Sequence, residues 1–187
     1  MNTASTESTP QLHRRLAATF TARIDAVPDD AWDRPSPCAD WTARDVLAHV
    51  IDSQTQFVER AGLEIPPGPV VADDPKAAWT HTRDAVQAIL DDPELADREF
   101  EGQSGTSTLA SAFGSFFAID LVVHGWDIAR ATGIDEAIPA ADLDMVRSFA
   151  AKYESMLRSP GAFGPELDAP TDADEQTKLL RFLGRAA

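Results

Sequence analysis

The chain has 187 residues, 43% of them hydrophobic, enough to build one well-buried core and too apolar for a disordered sequence. Its formal net charge of −15 is spread along the length, a distribution that repels nucleic acid and anionic membrane surfaces. A single cysteine, Cys38, excludes an intramolecular disulfide and any cysteine cluster around a metal, so a metal held by this chain must use His and carboxylate ligands.

Met1 to Pro10 is small and polar and lacks both the basic and the apolar segment of a secretory signal. The expectation is a flexible N-terminus, 1–10, on a cytoplasmic protein whose residues 11–187 form a single domain. After Pro10, Leu12, Leu16, Phe20, Ile24 and Val27 recur every three or four residues and predict an amphipathic helix that stops near Pro28. Asp29 to Trp41 is rich in turn formers, with Pro35 and Pro37 fixing the backbone, and predicts an ordered loop pinned by two tryptophans. Thr42-Ala-Arg-Asp45 has the form of a capping box. It starts a second helix that carries His49 beside Val46, Val50 and Ser53 on its inward side and ends near Gly62.

Glu64 to Asp74 holds three prolines and a glycine and predicts an extended crossover. Trp79, Thr82, Val86, Ile89 and Leu90 mark a third helix that stops at Pro93, and Asp97 to Thr106 is polar without a clear period. The fourth helix, from about Thr108 to Ala131, is the longest and most apolar, with Gly133 placed to end it. The longest uncharged stretch, Gly102 to Ile119, is interrupted by Gly, Ser, Thr and Gln, so no membrane span is expected. A fifth helix runs from about Ala140 to Leu157 and is closed by Pro160 and Gly161; an extended tail and a short helix, Ala173 to Gly184, finish the chain. With no repeat, no useful β-alternation and no glycine-rich phosphate loop, the predicted architecture is all-α, a helical bundle.

Within the fourth helix, Asp120-Leu-Val-Val-His124-Gly-Trp-Asp127 places a carboxylate and an imidazole on the same stripe as Phe113, Phe117 and Ile128. Side chains at i and i+4 lie roughly 5–6 Å apart at Cβ, so Asp120 and His124 can share one ion and need only a third ligand from a facing helix. His49 is the best-placed third ligand, because His13 adjoins Arg14 and Arg15 and His81 lies off the main stripe of its helix. Three protein ligands leave a coordination position open, the pattern of a reactive site. The competing explanation is a buried Asp–His hydrogen bond or charge pair. Asp127 has two roles open to it, a hydrogen bond to a ligand imidazole or a surface pair with Arg130. Trp126 and the Phe113/Phe116/Phe117 cluster are assigned to packing, and Cys38, with no His or Lys beside it in sequence, to an inert thiol.

Pro35 to His49 (PSPCADWTARDVLAH) and Asp120 to Gly133 (DLVVHGWDIARATG), with the ending Phe163-Gly-Pro and Leu179 to Arg185, resemble the DinB-like superfamily. The resemblance is to its actinobacterial branch related to the metal-binding domain of mycothiol-dependent maleylpyruvate isomerase, and it spans nearly the whole chain. It implies a four-helix bundle, here with an additional short C-terminal helix, holding a divalent metal on His49, Asp120 and His124. Zinc is the metal implied, with nickel as an alternative. It also implies two partners, a low-molecular-weight thiol of the mycothiol type and a small electrophilic substrate, with the metal activating the thiolate for transfer or isomerisation. Two departures are visible. Asp120 stands where the isomerase has Glu, and the residues after Leu157 are expected to be too few to replace its separate C-terminal domain, so the metal site carries over better than the reaction. A zinc-dependent thiol transferase or isomerase is the leading expectation. A non-catalytic metal-binding sensor or structural module stays open beside it, as does a metal-free helical dimerisation protein with His49 and Asp120 paired in the core.

Overall fold

The computed structural model describes residues 7–102, 105–158 and 163–187. Helix α1 (Thr9–Ala26) begins before Pro10, not after it. Gln11 Oε1 accepts the Ser8 N–H at 3.0 Å, and a proline in the first turn gives up an N–H that has no helical acceptor anyway. Thr9 and Pro10 are therefore helical. The predicted capping box opens α2 (Ala43–Arg60): Asp45 N–H donates to Thr42 Oγ1 at 3.2 Å and Thr42 N–H to Asp45 Oδ2 at 2.9 Å. Asp74 caps α3 (Pro75–Asp91) by accepting the Ala77 N–H at 2.9 Å. His81 on α3 donates from Nε2 to the Pro66 carbonyl at 2.7 Å and so ties the proline-rich crossover down.

After the short α4 (Pro93–Ala96), the stretch without a period forms an antiparallel hairpin, β1 (Glu99–Gly102) and β2 (Gly105–Thr108), with Glu99 opposite Thr108. Its one large apolar residue, Phe100, is buried against Val58, Phe113 and Phe117. The long apolar helix is divided into α5 (Leu109–Phe113) and α6 (Phe116–Thr132). The break falls at Gly114, where a Cβ would meet Thr9 Oγ1 at 2.7 Å; the same hydroxyl donates to the Ala110 carbonyl at 3.2 Å. The close approach of α1 leaves no room for a side chain there. The expected fifth helix is likewise divided, into α7 (Ala140–Lys152) and α8 (Glu154–Leu157), and its predicted closure at Pro160 and Gly161 lies outside the described residues. The last helix is α9 (Glu175–Phe182).

The fold is all-α apart from the hairpin. Helices α1 and α2 each pack on both α3 and α6, which makes these four the bundle, with α7 and α9 added beside them. Every residue of α6 from Phe117 to Ala129 is buried, so this helix is the axis of the core. The Leu109–Thr132 segment has the length and apolar composition of a membrane span, yet 72% of its most apolar window is buried inside the bundle. Phe20 and Ile24 of α1, Leu47 and Val50 of α2 and Trp79 of α3 close around it.

His13, 2% exposed, donates from Nδ1 to Gln87 Oε1 at 2.8 Å, while its Nε2 is buried without a hydrogen-bond partner among the described residues. Burial lowers its pKa against the opposing Gln87 contact. The native state therefore holds it neutral in a range where the unfolded chain already binds the proton, and stability falls as pH drops below the ordinary histidine value of 6.5. Melting curves between about pH 7 and pH 5 should show a smaller loss of Tm in His13→Leu than in the wild type. Equal losses would show that His13 does not carry this pH dependence.

Candidate metal centre

The capping box at Thr42 sets the register of α2 so that His49, two turns on, faces α6. There it meets Asp120 and His124, 5% and 6% exposed and one helical turn apart. One donor atom from each of His49, Asp120 and His124 lies within 4.8 Å of the others. The structure brings together all three residues expected from the sequence. Their contacts are not those of a closed hydrogen-bond network. His124 Nε2 stands 3.6 Å from Asp120 Oδ1, beyond a hydrogen bond, and the His49 and His124 rings meet edge to face at 5.2 Å. Asp120 Oδ2 is buried with no hydrogen-bond partner among the described residues. Such an oxygen is costly to bury. Two imidazoles and a carboxylate with their ligand atoms this close together suit a divalent cation of the zinc type.

Behind the trio lies a second layer of contacts. His124 Nδ1–H donates to Asp127 Oδ2 at 2.9 Å, which turns Nε2 toward Asp120. Asp127 is fully buried and is gripped by Arg185, whose Nε and Nη2 donate to its two oxygens at 3.0 Å each. The surface pair of Asp127 with Arg130 does not form: Arg130 pairs with Glu136 at 3.1 Å. Cys38 also reaches this layer. Its thiol donates to Asp127 Oδ2 at 3.2 Å and accepts from Arg185 Nη2 at 3.4 Å, so its neighbours in space include the His that sequence adjacency lacked. Arg185 arrives because Gly184 turns left-handed at φ 77°, where a Cβ would strike the Gly164 backbone at 2.8 Å.

Charges follow from these contacts. Burial works against a charged His124, but Asp120 and the Asp127 hydrogen bond outweigh it and push its pKa up to about 10. Burial likewise opposes ionised Asp127, yet the His124 hydrogen bond and Arg185 bring its pKa down to about 2. His49 is lowered, first by burial and then by His124, and is a neutral imidazole near pH 7.

His49 also lines a cavity of about 1030 Å³ between α2, the hairpin, α5, the start of α6 and α7. Trp41 packs on His49 at 4.8 Å on one side of it. Phe57 meets Phe100 and Phe117 edge to face at 5.1 Å on another, and Phe149 lies 4.7 Å from Tyr153. Phe116, assigned to the core by sequence, is 39% exposed and lines this cavity, whereas Phe113, Phe117 and Trp126 are buried as expected.

The bundle with its inward His and carboxylate residues is consistent with a DinB-like fold. Residues 13–62, which include His49, match the family described as the Mycothiol maleylpyruvate isomerase N-terminal domain, and the resemblance expected from the sequence holds. Two uncharacterized proteins of Mycobacterium tuberculosis, from strains CDC 1551 / Oshkosh and ATCC 25618 / H37Rv, are each 27% identical to it over 175 residues, covering 92% of this chain and 95% of the relative. No solved structure matches the chain.

The Asp127–Arg185 pair gives a stability test. Arg185→Met leaves a buried carboxylate without its fork and should cost about 3–5 kcal/mol in urea unfolding at neutral pH, whereas Arg185→Met with Asp127→Asn should recover most of it. A single variant within about 1 kcal/mol of wild type would contradict the pairing.

Proposed function

We propose that the protein is a divalent-metal-dependent enzyme that uses a low-molecular-weight thiol of the mycothiol type to transfer to, or isomerise, a small electrophile. His49, Asp120 and His124 hold the metal, with zinc the first choice. One observation carries the reading: His49, Asp120 and His124 bring one ligand atom each within 4.8 Å of the others, with the Asp120 carboxylate buried and its Oδ2 unpartnered among the described residues, next to a cavity that His49 lines. The family description supports the thiol, since it names mycothiol, and the single free cysteine suits the reducing cytoplasm in which such a thiol works.

A divalent cation bound there supplies positive charge that lowers the pKa of a coordinated thiol and fixes its sulfur. The chain's own residues do the rest. Asp127 accepts the His124 Nδ1–H and fixes the tautomer, so that Nε2 offers its lone pair toward Asp120 once the extra proton has left. Arg185 keeps Asp127 ionised and immobile. His49, already neutral, offers a lone pair without losing a proton. The aromatic walls keep water from a thiol and electrophile placed beside His49. A specific observation favours a second reading: His124 stands between Asp120 and Asp127 with its pKa raised, so its charge can balance theirs as in a helical module that takes no metal.

Cobalt titration of the protein separates the two, because a module that takes no metal develops no cobalt spectrum. Adding mycothiol should produce a sulfur-to-cobalt charge-transfer band, and thiol consumption with an electrophile should fall on the order of 100-fold in His49→Ala and His124→Ala. A cobalt spectrum that ignores thiol, together with no thiol-dependent turnover, would leave a non-catalytic metal module.

A further inference from the structure

We infer that the cavity beside His49 selects uncharged electrophiles, with aromatic or alkyl bodies and no free carboxylate, and discriminates against dicarboxylic acids. The inference rests on the proposed function only in calling the ligand an electrophile. Its basis is the charge of the lining. Asp40, Asp45 and Asp52 line the cavity, and Arg60 is the one cation beside them among the described residues. Two negative charges are left uncompensated. Asp52 and Arg60 make no ion pair among the described residues, so neither is neutralised locally. Asp45 stays ionised because the Thr42 hydroxyl and N–H both donate to it. Asp40 is set on the rim by the left-handed turn at φ 65° that ends the proline-rich loop.

Nothing behind this lining offsets it. The buried cations behind it are taken up: His124 stands between Asp120 and Asp127, and Arg185 is held by the two Asp127 oxygens. The charges of a divalent cation, the Asp120 carboxylate and one thiolate cancel. An incoming dianion would therefore meet charges of its own sign at the exposed mouth and then lose its hydration shell among the rings. The remainder of the cavity favours the opposite kind of ligand. Phe57, Phe117, Phe149 and Tyr153 offer ring faces and edges, while Ser107, Ser111 and Ser115 offer uncharged polar groups. Maleylpyruvate, the acid in the family's name, has the charge that this cavity disfavours.

Benzylidenemalonate and its dimethyl ester share one electrophilic alkene and one phenyl ring and differ by two negative charges. Calorimetric titration of the full-length protein with each, after chelator treatment so that no open metal position can take a carboxylate and without thiol, should give at least tenfold tighter binding of the diester at low salt. Because the diester is also the more apolar ligand, the deciding arms are electrostatic. The ratio should shrink in Asp40→Asn/Asp52→Asn and at high salt, and widen in Arg60→Gln. Equal or tighter binding of the diacid would overturn the inference, as would a ratio that the aspartate variants leave unchanged, or no binding of either compound. The same titrations on His124→Ala protein keep the two readings apart. A preserved preference there, together with wild-type protein that takes up neither cobalt nor thiol, would sink the proposed function and leave the cavity's selectivity standing; metal and thiol binding by the wild type without the preference would do the reverse.

Discussion

Asp127 is the residue on which the rest of the site depends. It is fully buried on the central helix, and donors from three parts of the chain end on its two oxygens: His124 from the same helix, Arg185 from the tail and Cys38 from the proline-rich loop. A lone carboxylate at that depth would cost several kcal/mol, so its ionised form persists only while the donors are in place. This couples distant segments. The C-terminal residues beyond α9 and the loop before α2 are both tied to the helix that carries Asp120 and His124, and the orientation of the His124 ring follows from the same carboxylate.

The bundle was legible in the sequence wherever packing is periodic. Leu16, Phe20, Ile24 and Val27 recur at helical spacing, and all four are buried as that spacing requires. The Asp120/His124 pair was legible for the same reason: helical geometry fixes what i and i+4 can share. His49 followed from its place on the inward side of its helix, with His13 beside two arginines and His81 off the main stripe of its own helix. The missing parts have causes outside any local window. Arg185 lies 58 residues from Asp127 and Cys38 lies 89 residues from it, and neither sits in a periodic pattern. The glycine at the division of the apolar helix faces Thr9, at the far end of the chain. The hairpin escaped because its first strand, Glu99-Phe-Glu-Gly102, has one apolar side chain and so shows no alternation.

Two electrostatic environments meet at His49. On the α6 side, charges are paired: Asp127 with Arg185, and His124 between two carboxylates. On the cavity side, acidic residues outnumber the single arginine along a wall of rings and hydroxyls. The first environment suits holding a metal, because its carboxylates and imidazoles are oriented before any ion arrives. The second governs what can approach. A family likeness confined to residues 13–62 covers His49 and three of the acidic lining residues but ends before the helix that carries Asp120 and His124.

The central claim is that His49, Asp120 and His124 form one metal-binding unit. Its most direct test is the metal content of wild-type and His124→Ala protein, both prepared without a polyhistidine tag and both checked for helical content by circular dichroism. The account predicts about one divalent ion per wild-type chain and close to none in the folded variant. Equal metal in the two, or none in either, would contradict it.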